Sequence, residues 1–311
     1  MLLEENKINN YFFLDKLIYL LPISMILGNA AININCLIII ILFLINVFLK
    51  KNFIISNEFK NYFLLTLFLI FFIFNIYFSV DQKASLVSFI GIIKYMLIVL
   101  AFLYCCENIN FFVHKFSKFT LFVLILVSLD TLFQFIYSVD IFGYEVMDAH
   151  GRRLSGPFGD ETIVGSYLGK FVMVSLLYFN REKKFYATFY LIFIVGIVFL
   201  SNERAASIMC LASIFLYFLL TPYFNFKVKL LNVSALVLVI ATLFSLNAQL
   251  KDHFIKRSFQ QFGIMGNVAK GDYAHKSFWD SRWGAHFLTA IEINKNNKIL
   301  GSGLHTYRVE C

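Results

Sequence analysis

Charge is what this sequence has least of. Only 15% of its 311 residues are Asp, Glu, Lys or Arg, where an ordinary soluble domain carries about a quarter. The few that occur form short clusters between long apolar runs, which is how a bilayer distributes its costs. A soluble chain of this length could not hide so much apolar surface, so the water-soluble globular class is excluded. Nucleic acid is excluded as a partner too, because the pI near 9.1 comes from lysines at the ends of apolar runs, where it reports topology. Cysteines are few: Cys36 and Cys210 lie within apolar runs, Cys105 and Cys106 are adjacent, and Cys311 stands alone. They show neither zinc spacing nor a disulfide framework. There is no Walker loop or dinucleotide fingerprint, and Gly301-Ser302-Gly303 alone is too short to cradle a nucleotide; no cofactor or metal is expected. Glu4 and Glu5 precede the first apolar run and no small-residue cleavage site follows it, so no cleavable signal peptide is expected. No internal repeat is evident.

What is present is apolar. Hydrophobic residues make up 59% of the chain, with 39 phenylalanines, and the mean hydropathy is +0.74. The runs place spans near Tyr11–Gly28, Ala30–Leu49, Tyr62–Val80, Leu86–Tyr104, Phe119–Tyr137, Thr162–Phe179, Phe185–Leu200, Ala205–Leu220 and Leu230–Leu246. Each is close to the roughly 17 to 25 residues needed to cross hydrocarbon. The expected fold is all-α, a polytopic transmembrane helical bundle of about nine helices over residues 1–246. Residues 247–311 follow as a partly helical extracytoplasmic loop. Gly28-Asn29 is a weak separator between the first two spans, and if these are not two crossings the orientation inverts.

Basic residues set that orientation. With the N-terminus cytoplasmic, the inner loops hold Lys7, Lys16, Lys50, Lys51, Lys60, Lys115, Lys118, Arg181, Lys183, Lys184, Lys227 and Lys229. The outer short loops hold Lys83, Arg152, Arg153 and Arg204. The positive-inside rule selects this arrangement. Arginine is distributed differently from lysine: six of seven (Arg152, Arg153, Arg204, Arg257, Arg282 and Arg308) fall outside. A retention signal needs only charge, whereas the planar guanidinium matches carboxylate or phosphate oxygens in bidentate fashion. An anionic, phosphate-bearing ligand on the outer face follows, unless these arginines pair structurally with Asp140, Asp160, Glu161, Asp252 and Asp280.

Three outer segments carry candidate chemistry. Gly151 to Glu161 is a glycine-dense loop holding Pro157, one of three prolines, which implies a tight turn, and Asp160 or Glu161 sits where an acidic residue suits a helix N-terminus. The tip Ser201-Asn202-Glu203-Arg204 joins two apolar runs that reach only about 24 Å each, so Glu203 and Arg204 lie at headgroup depth or lower. Charges there are functional candidates unless they satisfy each other and the helix ends. The third segment, Asp280 to Ala290, reads as an amphipathic helix outside the membrane, with Trp283 and Phe287 at the interface, followed by a glycine turn. Lys94, Asp130 and Lys170 fall near the middle of spans, where pairing of Asp130 with a lysine is the economical arrangement and a polar substrate path the alternative.

Arg153-x-x-Gly156-x-Phe158, Gly165-x-Tyr167-Leu168, Glu203-Arg204-Ala205, then Arg282-Trp283 with Gly301-x-Gly303 resemble, in order and sidedness, the pattern of the O-antigen ligase and O-antigen polymerase superfamily. The resemblance covers about Tyr137 to Tyr307. It implies a bacterial inner-membrane glycosyltransferase acting on undecaprenyl-pyrophosphate-linked glycan at the periplasmic face, with a glycan or lipid acceptor, membrane lipids around it, and neither nucleotide sugar nor metal. The family's histidine stretch after the Gly-x-Gly turn, and the helices beyond it, are not matched before Cys311, and His305 does not fit the pattern; the sequence reads as a truncated member. The expected roles are pyrophosphate binding by Arg153, Arg204 and Arg282, substrate contact by Gly156 and Tyr167, and base or orienting functions for Asp160, Glu161 and Glu203. A polysaccharide or lipid transporter, or a non-catalytic assembly partner, remains the alternative. Ligase and polymerase differ only in acceptor and are not separated.

Overall fold

The computed structural model describes residues 12–49, 62–147, 152–179, 184–220, 225–256, 258–259, 278–280, 282–296 and 301–310. They form an all-α protein in which no strand occurs among the described residues; two isolated antiparallel bridges, Val139 with Glu145 and Met147 with Arg153, are the only extended pairing among them. Four helices are long and apolar enough to cross a membrane, and four shorter apolar helices accompany them. The chain divides into two compact units, one of residues 1–14, 36–108 and 258–311 and the other of residues 15–35 and 109–257.

In the larger unit, α1 (Phe12–Tyr19) and α2 (Leu21–Ile26) replace the single first span of the sequence reading. Pro22 explains the break: lacking an N–H, it suits the first turn of a new helix and not the interior of a continuing one. Gly28, at φ +99°, turns the chain into α3 (Asn29–Leu49). The Asn35 amide donates back to the Leu17 carbonyl (3.2 Å) and Ser24 Oγ (3.2 Å), tying α3 alongside α1 and α2.

Helix α6 (Phe112–Tyr137) shows what chooses a face when every side is apolar. Thr120, Leu124, Val127, Thr131 and Gln134 are buried, while Phe122, Leu126, Leu129, Phe133 and Ile136 are exposed. Both sets recur at helical spacing, but the threonine and glutamine side chains are all in the inward set, beside Leu124 and Val127, and the outward set is wholly large and apolar. That inversion suits a helix whose outer solvent is hydrocarbon, where close packing and hydrogen bonds hold helices together. Against it pack α7 (Val164–Leu176) and α8 (Lys184–Leu200), while α9 (Arg204–Leu220) packs on α7 and α8, and α10 (Phe226–Leu246) packs on α8. Helices α7 and α9 approach most closely, because Gly165 and Gly169 face Ala206 and Cys210; a Cβ on Gly169 would lie 3.4 Å from the Ala206 carbonyl and from Cys210 Cβ. Within the core, Tyr190 and Ser175 share a buried hydroxyl hydrogen bond of 2.7 Å.

The second unit holds the rest of α3, then α4 (Tyr62–Tyr77) and α5 (Gln82–Asn108) as a hairpin, with α12 (Arg282–Asn296) and the one-turn α13 (Tyr307–Glu310). The expected amphipathic helix and glycine turn are both present. Ser302 accepts from the Val80 N–H (3.0 Å), Ser85 Oγ donates to the Leu304 carbonyl (3.1 Å), and Ser79 and Ser85 share a 2.6 Å bond. The Gly301–Gly303 turn thus docks on the α4–α5 corner, so residues 301–304 lie at the same end of this unit as residues 79–85. The segment that the sequence reading set apart from 247 onward therefore packs in part with the helices of residues 36–108. Between α10 and the 260s the chain makes a short helix, α11 (Ala248–Lys251), and a π turn at Asp252–Lys256.

Candidate functional site

Gln134, in the last turn of α6 and fully buried, organises the loop that follows. Its Oε1 accepts from the Ser155 N–H (3.0 Å) and the Gly156 N–H (2.8 Å), and its Nε2 donates to the Tyr144 carbonyl (3.2 Å) and Ser155 Oγ (3.1 Å). One side chain therefore fixes both arms of the excursion 138–156. Asp140 Oδ1 accepts from the Tyr144 N–H at 2.6 Å, closing the turn at Gly143.

Asp130 belongs to this loop and not to an intramembrane ion pair, which corrects the sequence expectation. Its Oδ1 accepts from the Ile141 N–H at 2.9 Å, and it forms no ion pair with a described residue. Lys170 is exposed, and Lys94 Nζ lies 4.8 Å over the ring of Tyr95. A backbone donor on the re-entering loop reaches Asp130 because the residue sits near the end of α6, where the chain folds back over it.

Arg152 and Arg153 diverge in role. Arg152, at φ +45°, donates to the Phe135 carbonyl (2.8 Å) and covers the Phe135 ring at 5.2 Å, so it caps the last turn of α6. Arg153 pairs its backbone with Met147, while its buried Nε makes no hydrogen bond with a described residue. Its charge acts on Glu203.

Glu203 occupies the place that sequence reasoning gave to Asp160 or Glu161. Its Oε1 accepts from the Gly165 N–H (2.7 Å), and its Oε2 accepts from Ser166 Oγ (2.8 Å) and the Ser166 N–H (3.3 Å). A carboxylate on the first-turn N–H groups of α7 meets the positive end of the helix dipole. Burial pushes the Glu203 carboxyl above its usual range; its hydrogen bonds and Arg153 pull the other way without cancelling that push. Asp160 and Glu161 are both exposed in the turn before α7 and leave its first turn without an acidic residue of its own. The Leu154 N–H donates to the Ser201 carbonyl at 3.4 Å, so this loop and the α8–α9 tip lie at one end of the unit.

Two residues expected to touch substrate make structural contacts. Tyr167 is buried, its hydroxyl donates to the Pro22 carbonyl (2.9 Å), and its ring lies 5.1 Å from those of both Phe158 and Phe171. Gly156 is buried at φ +54°, with its N–H held by Gln134; a Cβ there would lie 2.7 Å from Thr131 Oγ1. Gly156→Ala is accordingly expected to destabilise the chain by about 1–3 kcal/mol, read as a lower melting temperature of the detergent-purified protein; an unchanged melting point would refute this placement. Arg204 is half-buried at the start of α9, and Arg282 opens α12 in the other unit, its side chain outside the described residues.

Backbone strain concentrates here. Of five non-glycine residues at positive φ among the described residues, Ser138, Arg152 and Asn202 border this loop pair, the pattern of a conformation over-determined by its surroundings. Sequence reasoning missed Gln134, whose signal is its place on one face of α6 with Thr120 and Thr131, and the Gly165-x-x-x-Gly169 spacing that brings α9, and Glu203 with it, against α7. Among the described residues no group of three His, Cys, Asp or Glu side chains converges as metal ligands. Comparison of the chain with protein-family models, curated proteins and solved structures finds no match.

Proposed function

We propose that this chain is a membrane glycosyltransferase of the O-antigen ligase and polymerase kind, acting at the outer face of a bacterial inner membrane. Its N-terminus is cytoplasmic and its apolar runs make about nine crossings. The observation that carries the proposal is Arg153: a guanidinium whose buried Nε has no hydrogen-bond partner among the described residues, beside a carboxylate engaged elsewhere. Arg152, one residue earlier, is committed to a carbonyl.

The acceptor hydroxyl attacks the anomeric carbon of an undecaprenyl-pyrophosphate-linked glycan, the new glycosidic bond forms, and the bond to the pyrophosphate oxygen breaks. Charge grows on the leaving pyrophosphate, where fixed guanidinium groups act most strongly; Arg153, with Arg204, takes that role. The hydroxyl proton passes to Asp160 or Glu161, the loop carboxylates open to solvent. In this reading Glu203, whose oxygens accept from Gly165 and Ser166, positions α7 beside Arg153.

The test uses cells lacking their own polymerase or ligase and expressing this protein, with lipid-linked and transferred glycan resolved on gels. Asp160→Asn combined with Glu161→Gln should abolish lengthening or transfer at unchanged membrane yield. A protein that moves lipid-linked glycan to the outer leaflet without altering its length would overturn the enzyme reading in favour of a transporter.

A further inference from the structure

At the end of the larger unit away from Glu203, residues of α6 and α8 line a cavity of about 580 Å³. Leu121 and Ile125 form one wall; the other is aromatic, with Tyr186, Phe189, Tyr190 and Phe193 recurring at i, i+3, i+4 and i+7 on α8. Tyr186 and Phe189 are 67% and 57% exposed, so the cavity is a groove open along its flank. From Tyr186 to Phe193, or from Lys118 to Ile125, it runs about 10 Å along the helices, within the roughly 15 Å of one hydrocarbon leaflet.

The rim differs from the walls. His114, Lys118, Leu121 and Ile125 fall at i, i+4, i+7 and i+11, one continuous stripe of α6 that passes from basic to apolar. The His114 ring lies 5.0 Å from that of Tyr178, which also lines the groove. Lys118 is exposed and makes no hydrogen bond or ion pair with a described residue. Its neighbour Lys115, by contrast, has Asp15 within electrostatic range. Lys184 opens α8 two residues before Tyr186.

We propose that this groove is a binding site for an anionic glycerophospholipid, one acyl chain lying between α6 and α8 and the phosphate meeting Lys118 and His114. A narrow apolar slot that fits within one leaflet calls for a single chain, and a basic rim selects for net negative headgroup charge. The proposal does not depend on the glycosyltransferase reading, since the groove and the Arg153 loop lie at opposite ends of α8.

Phe193→Trp places a fluorophore in the slot, with the untouched chain, which carries two tryptophans, as background. In mixed micelles, phosphatidylglycerol brominated on its acyl chains should quench that fluorophore at about fivefold lower mole fraction than brominated phosphatidylcholine, the effect expected of one basic residue near an anionic group. Lys118→Glu should bring the two curves together. Quenching no greater than background, equal quenching by both lipids, or an unchanged preference in Lys118→Glu would each overturn the site. Should Phe193→Trp not purify as a single species, native mass spectrometry of the unmodified protein supplies the readout. Retained phosphatidylglycerol over phosphatidylcholine supports the site, and equal retention, or retention of a polyprenyl phosphate instead, overturns it.

Discussion

Glu203→Ala is expected to cost the larger helical unit about 3 kcal/mol or more, enough to remove most folded protein from the membrane. The alanine would leave the Gly165 and Ser166 N–H groups and Ser166 Oγ without their acceptor at a position where the carboxylate is 9% exposed. Glu203→Gln should lose less, because its carbonyl can still accept from Gly165 while its amide group opposes the Ser166 N–H. The sign of the pH effect follows from burial. A carboxyl held above its ordinary 4.5 keeps its proton longer in the folded state than in the unfolded one. Its contribution is full below about pH 4.5 and is lost as pH rises through the raised value, a slope that Glu203→Gln should flatten. Thermal unfolding followed by size-exclusion chromatography, across pH, measures both effects. Wild-type melting of Glu203→Ala would sink the capping role of Glu203.

Most helices were legible because a long apolar run at low charge density has few alternatives to a helix. Their ends were not. The run read as Leu86–Tyr104 extends over Gln82–Asn108 and that read as Phe119–Tyr137 begins at Phe112, while Thr162–Phe179 contracts to Val164–Leu176. Polar residues such as Gln82, Asn108 and His114 continue a helix beyond its apolar stretch, whereas Gly159 at φ +64° and the 3₁₀ turn Gly156–Phe158 delay the start of α7. The candidate site was legible as the loop of residues 151–161 and the tip of residues 201–204, but not as pairings between them. Glu203 meets Gly165 across 38 positions, and Tyr167 meets Pro22 across 145. No local pattern encodes such partners. A carboxylate three or four residues before a helix looks like its cap until the tertiary fold supplies another one.

Arginine in this loop illustrates the same limit, since Arg152 and Arg153 are indistinguishable by composition and separable only by what each touches. Arg153→Lys is expected to reduce glycan transfer at least about 100-fold, the loss typical of removing one preorganised charge-stabilising donor, while leaving insertion and yield intact. Lysine keeps the charge but not the planar fork that two phosphate oxygens can engage. Arg152→Lys is expected to do the reverse. It weakens the bond to the Phe135 carbonyl and the contact with the Phe135 ring, so folded yield falls while transfer per folded molecule stays near wild type. The measurement is transfer from undecaprenyl-pyrophosphate glycan, normalised to the folded fraction from chromatography. Arg204→Lys run alongside should follow Arg153→Lys if both guanidinium groups hold the leaving pyrophosphate. Wild-type transfer by Arg153→Lys at normal yield would remove the pyrophosphate role from Arg153 and, with it, the main support for catalysis at this loop.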